Sequence, residues 1–151
     1  MAKAVLSKKE FETLSQFRYQ LRRFLRFSEQ VTRRHGVTPL QYLLLLHIKG
    51  VPGREWATVG ELAERLQAHP HGVVALVSRC EKRGWVSRRQ GVTDRREVEV
   101  HLTAQGSRMV GQLALLHREE LLNLEDSFRV PKEQDLLGEG ALPSYPGEDE
   151  T

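Results

Sequence analysis

Among 151 residues the chain has one cysteine, two methionines and two tryptophans, and no apolar run approaching the 18 or so residues of a bilayer span. A lone cysteine excludes an intrachain disulfide framework, and no secretory leader is expected. Catalytic patterns are missing too. There is no Gly-rich phosphate loop, no His-Glu-x-x-His and no nucleophile elbow, so no catalytic residue, enzyme activity or cofactor is expected. Beyond Lys132 there is no basic residue, whereas six acids follow: Glu133, Asp135, Glu139, Glu148, Asp149 and Glu150. These absences predict a cytoplasmic protein without a membrane partner.

What is present is a basic body. The formal charge of +3 hides an asymmetry, because residues 1–132 carry 23 bases against 14 acids, or +9. Such a body with an acidic tail suits a polyanion partner. At 39% hydrophobic, residues 1–137 are expected to form one mainly α domain, with 138–151 a disordered acidic tail broken by Gly and Pro.

Residues 58–106 organise the rest. Thr58 and Glu61 form a capping box before a helix whose apolar face is Leu62, Ala63 and Leu66. Pro70 opens the next helix, where a missing N–H costs nothing. Val73, Val74, Leu76, Val77 and Cys80 line one side of it, and Gly84 ends it. The period then switches to two, with Val98, Val100 and Leu102 alternating with Glu97, Glu99 and His101. Helix, turn, helix and hairpin make a winged helix-turn-helix, with the second helix in a major groove. Seven bases lie between Arg79 and Arg96 against two acids, Glu81 and Asp94. They flank that helix and occupy the wing, 86–102, where phosphates and a minor groove would lie. The recognition face is read as His69, His71, Gly72, Ala75 and Arg79, with Ser78 and Thr58 as lesser phosphate contacts.

The run from Arg79 to Gly106 resembles the MarR family of bacterial transcription regulators. The resemblance rests on Arg83-Gly84, Arg88, Asp94-Arg95-Arg96 and Leu102-Thr103-Ala104-Gln105-Gly106, with Thr38-Pro39-Leu40-Gln41 and Glu61-Leu62-Ala63 upstream. It covers about residues 10–128. It implies a cytoplasmic homodimeric repressor on a pseudo-palindromic operator of double-stranded DNA. In the wing it implies that Arg96 enters the minor groove while Asp94 holds its side chain, leaving Arg88, Arg89 and Arg95 for phosphates.

Ser7 and Glu10 open a helix expected over 8–35, with Phe11, Leu14, Phe17, Leu21, Phe24, Leu25 and Val31 at a period near 3.5. The winged-helix core spans 38–102, starting with a helix that is apolar nearly all round. Residues 50–57 read as a Gly/Pro loop. Thr103 caps a second long helix over 103–129, stopped by Pro131. The two long helices form the expected dimerisation region. Only Pro131–Leu137 could start the sixth helix that most family members have. Members are commonly released from DNA by a small phenolic anion, and the resemblance puts that crevice at Tyr19, Arg22, Arg23, Tyr42, Leu46, His47 and Trp56. The plainer reading is that Tyr42 and His47 pack within the helix. His47 and His117 lie near the metal of zinc-responsive members, but no i, i+4 His pair supports a site, and no metal is assigned. Cys80, on the apolar face, is read as core. Two alternatives stay open: a zinc-responsive regulator, and a winged-helix module for protein contacts.

Overall fold

Two Thr-x-x-Gln/Glu capping boxes start the helices at the centre of the fold. Thr38 Oγ1 accepts from the Gln41 N–H at 3.2 Å while the Gln41 side chain accepts from the Thr38 N–H at 2.9 Å. Thr58 and Glu61 repeat the exchange at 3.1 and 3.4 Å. Each satisfies backbone donors that a helix start leaves bare. The structure is a computed structural model describing residues 5–125 and 128–137; the acidic stretch 138–151 lies outside the described residues.

The order is α1 (Lys8–Arg34), α2 (Pro39–Lys49), β1 (Trp56–Thr58), α3 (Val59–Leu66), α4 (Pro70–Lys82), β2 (Val86–Gln90), β3 (Val98–Leu102), α5 (Ala104–Asn123) and α6 (Glu133–Leu137). The three strands form an antiparallel sheet in the order β1-β3-β2. The fold is mainly helical with a small sheet, a winged helix-turn-helix with long helices at its N- and C-terminal ends.

The chain divides into two compact units, Arg26–Glu120 and the paired segments Met1–Leu25 and Leu121–Thr151. The first unit holds the main core: Leu44, Leu45 and Ile48 of α2, Leu62 of α3, Val73, Val77 and Cys80 of α4, then Trp85, Val100, Val110 and Leu113, all at most 1% exposed. In the second unit Phe17 and Phe24 meet the Phe128 ring at centroid distances of 6.4 and 5.8 Å. That unit leaves Phe11, Leu14, Tyr19, Leu25, Leu121 and Leu122 exposed.

Three expectations need correction. The segment read as a loop over 50–57 ends in β1, whose Ala57 pairs with Val100 and is buried. Three residues with one neighbouring strand are too few to show a period of two. The long helix expected to reach 129 ends at Asn123, and Leu124 and Glu125 donate back three residues to Leu121 and Leu122. Glu119 and Glu120 sit near that end, and the last turn has no base, which opposes the helix dipole. The alternation along β3 is also broken. Glu99 is buried and bonds His101 Nε2 at 2.9 Å on the sheet face under Trp56, whose ring stacks on His101 at 5.7 Å.

One junction is unusually tight. The Thr103 N–H donates to the Trp85 carbonyl at 3.0 Å and its hydroxyl to the Gly84 carbonyl at 2.6 Å. That hydroxyl also accepts from the Gly106 N–H at 3.0 Å. A β-carbon on Gly106 would fall 2.0 Å from the Trp85 carbonyl oxygen, so only glycine lets the start of α5 press on the chain leaving α4.

Candidate nucleic-acid interface

Burial divides α4 into two faces. Val73, Leu76, Val77 and Cys80 point into the core. His71, Gly72, Val74, Ala75, Arg79 and Lys82 are exposed, and Ser78 is half-buried with its hydroxyl donated to the Val74 carbonyl at 3.0 Å. His69 is the N-cap of α4 but makes no side-chain cap bond. A β-carbon on Gly72 would meet nothing within 4 Å, so the fold itself has no need of glycine there. The turn from α3 into α4 is set by Gln67 in the left-handed region at φ 50°, with its own amide donating to the Glu64 carbonyl at 2.7 Å.

The wing is closed by Gly91, where a β-carbon would lie 2.3 Å from the Asp94 carbonyl oxygen. Asp94 Oδ1 accepts from the backbone N–H of Arg96 at 3.0 Å and from its Nε at 3.2 Å, and Oδ2 lies 3.4 Å from Nη2. These bonds hold the Asp94 carboxyl below the usual carboxylate range. The Arg96 side chain is nevertheless 92% exposed. Among the described residues no ion pair engages Arg79, Lys82, Arg89 or Arg95.

Two further arginines of the basic cluster are engaged within the chain, which the charge count did not reveal. Arg88 on β2 donates its backbone N–H and its Nη2 to the Glu81 carboxylate of α4, both at 3.1 Å. Arg83 donates to the Gly36 carbonyl at 3.0 Å and lies 4.4 Å over the Trp85 ring. The Glu81 pair was legible only as opposite charges seven residues apart, a spacing that no single element connects.

The seven residues of the expected crevice are placed as follows. Tyr19, Arg22 and Arg23 belong to the unit of Met1–Leu25 and Leu121–Thr151, where the Arg23 guanidinium lies 5.6 Å over the Tyr19 ring. Tyr42 is buried and stacked on His117 at 4.4 Å, and burial raises its phenol pKa. His117 Nδ1–H donates to the Leu113 carbonyl and Nε2 meets Ser28 Oγ, both at 2.7 Å, which accounts for both ring nitrogens. Trp56 carries the Arg54 guanidinium on its ring at 3.9 Å. Leu46 and His47 line a cleft with the loop after α2 and with α3. Among the described residues no three His, Cys, Asp or Glu gather as metal ligands, and no helix is long and apolar enough to cross a membrane.

A model of the MarR family matches residues 35–97, which run from the end of α1 into the wing. The HTH-type transcriptional repressor MdtR of Bacillus subtilis is 32% identical over 73 residues, 48% of this chain and 45% of that protein. A putative transcriptional regulatory protein for the hcr operon of Thauera aromatica is 29% identical over 96 residues, 64% of this chain and 56% of its own length. The chain thus spans about half the length of these curated relatives. AbsC, a MarR family transcriptional regulator from Streptomyces coelicolor, superposes with a TM-score of 0.72 at 19% identity over 80% of this chain and 81% of that one. A MarR family protein from Bacillus stearothermophilus gives 0.70 at 22% identity over 83% and 86%. At such identities the structural likeness establishes the fold alone. Motifs, family match and fold point the same way: residues 35–97 match the MarR family, and the fold is the winged helix-turn-helix fold of such proteins.

Proposed function

We propose that this protein is a sequence-specific double-stranded DNA-binding transcriptional regulator, a cytoplasmic homodimeric repressor acting at a pseudo-palindromic operator. The observation that carries the reading is the wing arginine. Arg96 stands almost wholly in solvent while Asp94 fixes its direction, a cation prepared for a narrow, strongly negative minor groove. The recognition helix supports it. His69, His71, Gly72, Ala75 and Arg79 would meet base edges and phosphates in the major groove, with small residues where the helix must come close. Arg89 and Arg95 would hold phosphates, and Ser78 is a lesser contact. Arg88 would reach a phosphate only while keeping its bonds to Glu81, so its main role is to brace the wing. The exposed Phe11, Leu14, Leu25, Leu121 and Leu122 supply apolar surface for a second copy, and residues 1–137 work as one regulator. Repression follows the relative named as a repressor, MdtR of Bacillus subtilis.

The test is a gel shift of random duplex DNA across a salt series, followed by selection of binding sites from a random pool. Binding should weaken steeply with salt, and the selected sites should be two half-sites about one helical turn apart. A protein-contact module would give no salt-sensitive shift, and that outcome would sink the reading. The regulatory half is release of DNA by a small aromatic anion. It requires an effector that favours one arrangement of the recognition helices over another.

A further inference from the structure

α1 carries a stripe of arginines that the fold leaves without counter-charge. Arg18, Arg22 and Arg23 are exposed, and Tyr19 lies among them with the Arg23 guanidinium 5.6 Å over its ring. Arg18 and Arg22 stand four residues apart on one face, a spacing at which like charges destabilise a helix. The acids of α1 do not answer them. Glu10 belongs to the capping box with Ser7, Glu12 lines a cavity with Lys9, and Glu29 holds Arg33. Among the described residues no ion pair engages any of the three arginines.

The C-terminal segment of the chain comes back to this helix. The Phe128 ring meets Phe17 and Phe24, and Arg129, Pro131 and Asp135 line one cavity with Lys9, Gln16 and Gln20. α6 ends at Leu137 in that same unit. Beyond it, residues 138–151 hold four acids, Glu139, Glu148, Asp149 and Glu150, and no base. The stretch from Leu137 to Glu148 spans at most about 40 Å when extended. Lys9 and Arg23 are roughly 21 Å apart along the helix, so the acids reach the stripe with slack.

We propose that the acidic run Glu148-Asp149-Glu150 docks on Arg18, Arg22 and Arg23 as an intramolecular counter-charge for α1. Guanidinium and carboxylate form charge-assisted hydrogen bonds, and the tether holds the acids at a high effective concentration. Exposed pairs are weak singly, so the docking depends on several charges together and is screened by salt. Once docked, the segment covers a second basic surface and leaves duplex DNA to α4 and the wing. That consequence rests on the DNA-binding reading; the docking does not.

The experiment places a nitroxide on Ser144→Cys in the full-length protein, where the fully buried Cys80 takes no label. Paramagnetic broadening of backbone amides is read by NMR at about 0.1 M and about 1 M salt, between which the Debye length falls from ~10 to ~3 Å. Broadening should centre on residues 15–25 at the lower salt and vanish at the higher. Glu148→Gln with Asp149→Asn and Glu150→Gln should remove it, as should Arg22→Glu with Arg23→Glu. Adding Glu148→Lys and Asp149→Lys to the arginine pair should restore it. Broadening centred on α4 or the wing, broadening indifferent to the acid substitutions, or none at all each overturns the docking. So does duplex DNA that shifts the 18–23 amides of the wild-type protein, which would make the stripe a nucleic-acid surface. If Arg22→Glu with Arg23→Glu fails to fold, Arg22→Gln with Arg23→Gln decides. In a parallel gel shift the triple acid variant should hold random duplex DNA at least about threefold more tightly. Equal affinity removes the shielding role and keeps the docking. A protein that binds no DNA in either form overturns the function while the docking stands.

Discussion

Glu81, near the end of α4, grips Arg88 on the first wing strand twice, through the backbone N–H and through the guanidinium. A single carboxylate thus ties α4 to the first wing strand. The arginine bonds hold Glu81 below the usual carboxylate range. A depressed folded pKa means the tie is complete above ordinary carboxylate values and fails only as pH falls through the lowered one. DNA affinity between pH 8 and 5 should therefore show no step from this group. Glu81→Gln should weaken specific binding by about tenfold, or roughly 1.4 kcal/mol. Because the two residues act as one unit, Glu81→Gln with Arg88→Met should be no worse than the weaker single variant. Strict additivity in a double-mutant cycle would refute the tie.

Arg96→Ala should lower operator affinity by about 10- to 100-fold, with a circular dichroism spectrum and melting temperature unchanged, since the side chain touches little besides Asp94. Asp94→Asn should cost less, because the arginine remains but loses its fixed direction. The salt slope of Arg96→Ala should also fall by about one unit. Affinity unaltered in fluorescence anisotropy at physiological salt would remove Arg96 from the interface.

At Gly72 stability and binding should move in opposite directions. Open space around its α-carbon means that Gly72→Ala should stabilise the helix by roughly 0.5–1 kcal/mol. If the groove approaches as closely as proposed, the same methyl should weaken specific binding. Thermal melts and binding isotherms on one preparation compare the two signs. His71→Ala should alter which sites are selected from a random pool while leaving non-specific affinity nearly constant. An identical selected consensus would exclude His71 from base reading.

Cys80 offers a test of the core by alkaline titration. Burial raises its thiol from the ordinary 9.0 to about 11, and Arg79 and Arg83 offset only part of this. A raised folded pKa gives stability that is complete below pH 9 and lost as pH climbs toward 11. The loss should be on the order of 2 kcal/mol. Cys80→Ala should start lower because it leaves a small cavity, yet decline less over that interval. Urea melts at pH 8, 9, 10 and 11 compare the slopes. Parallel curves, or fast reaction of the native thiol with a disulfide reagent at pH 8, would contradict its burial.

Much of this molecule was legible because local chemistry and global fold agree. Thr38 and Thr58 announce helix starts through their own side chains, Gly36 and Gly84 take the positive φ that ends a helix, and the expected α4 apolar face is buried at Val73, Leu76, Val77 and Cys80, though Val74 is exposed. What escaped depends on residues that meet only after folding. β1 exists because Ala57 finds Val100 more than forty positions later, and buried Glu99 bonds His101, on which the Trp56 ring stacks. In the interface, charge counting identified the basic cluster but could not sort it. Arg83 and Arg88 are bonded within the fold, while among the described residues no ion pair engages Arg79, Arg89 or Arg95, and the difference lies in where Gly36 and Glu81 come to rest.

The contact of Gly106 with the Trp85 carbonyl makes the end of α4 and the beginning of α5 a single welded corner. Residues 104–120 of α5 then form a crank about 25 Å long, with the recognition helix as the shorter arm at its base. With this corner held rigid, a tilt of about 5° in the crank would move its far end by roughly 2 Å and turn α4 through the same angle. The close seat of Gly106 on the Trp85 carbonyl thus makes α5 and the chain leaving α4 neighbours that should move together.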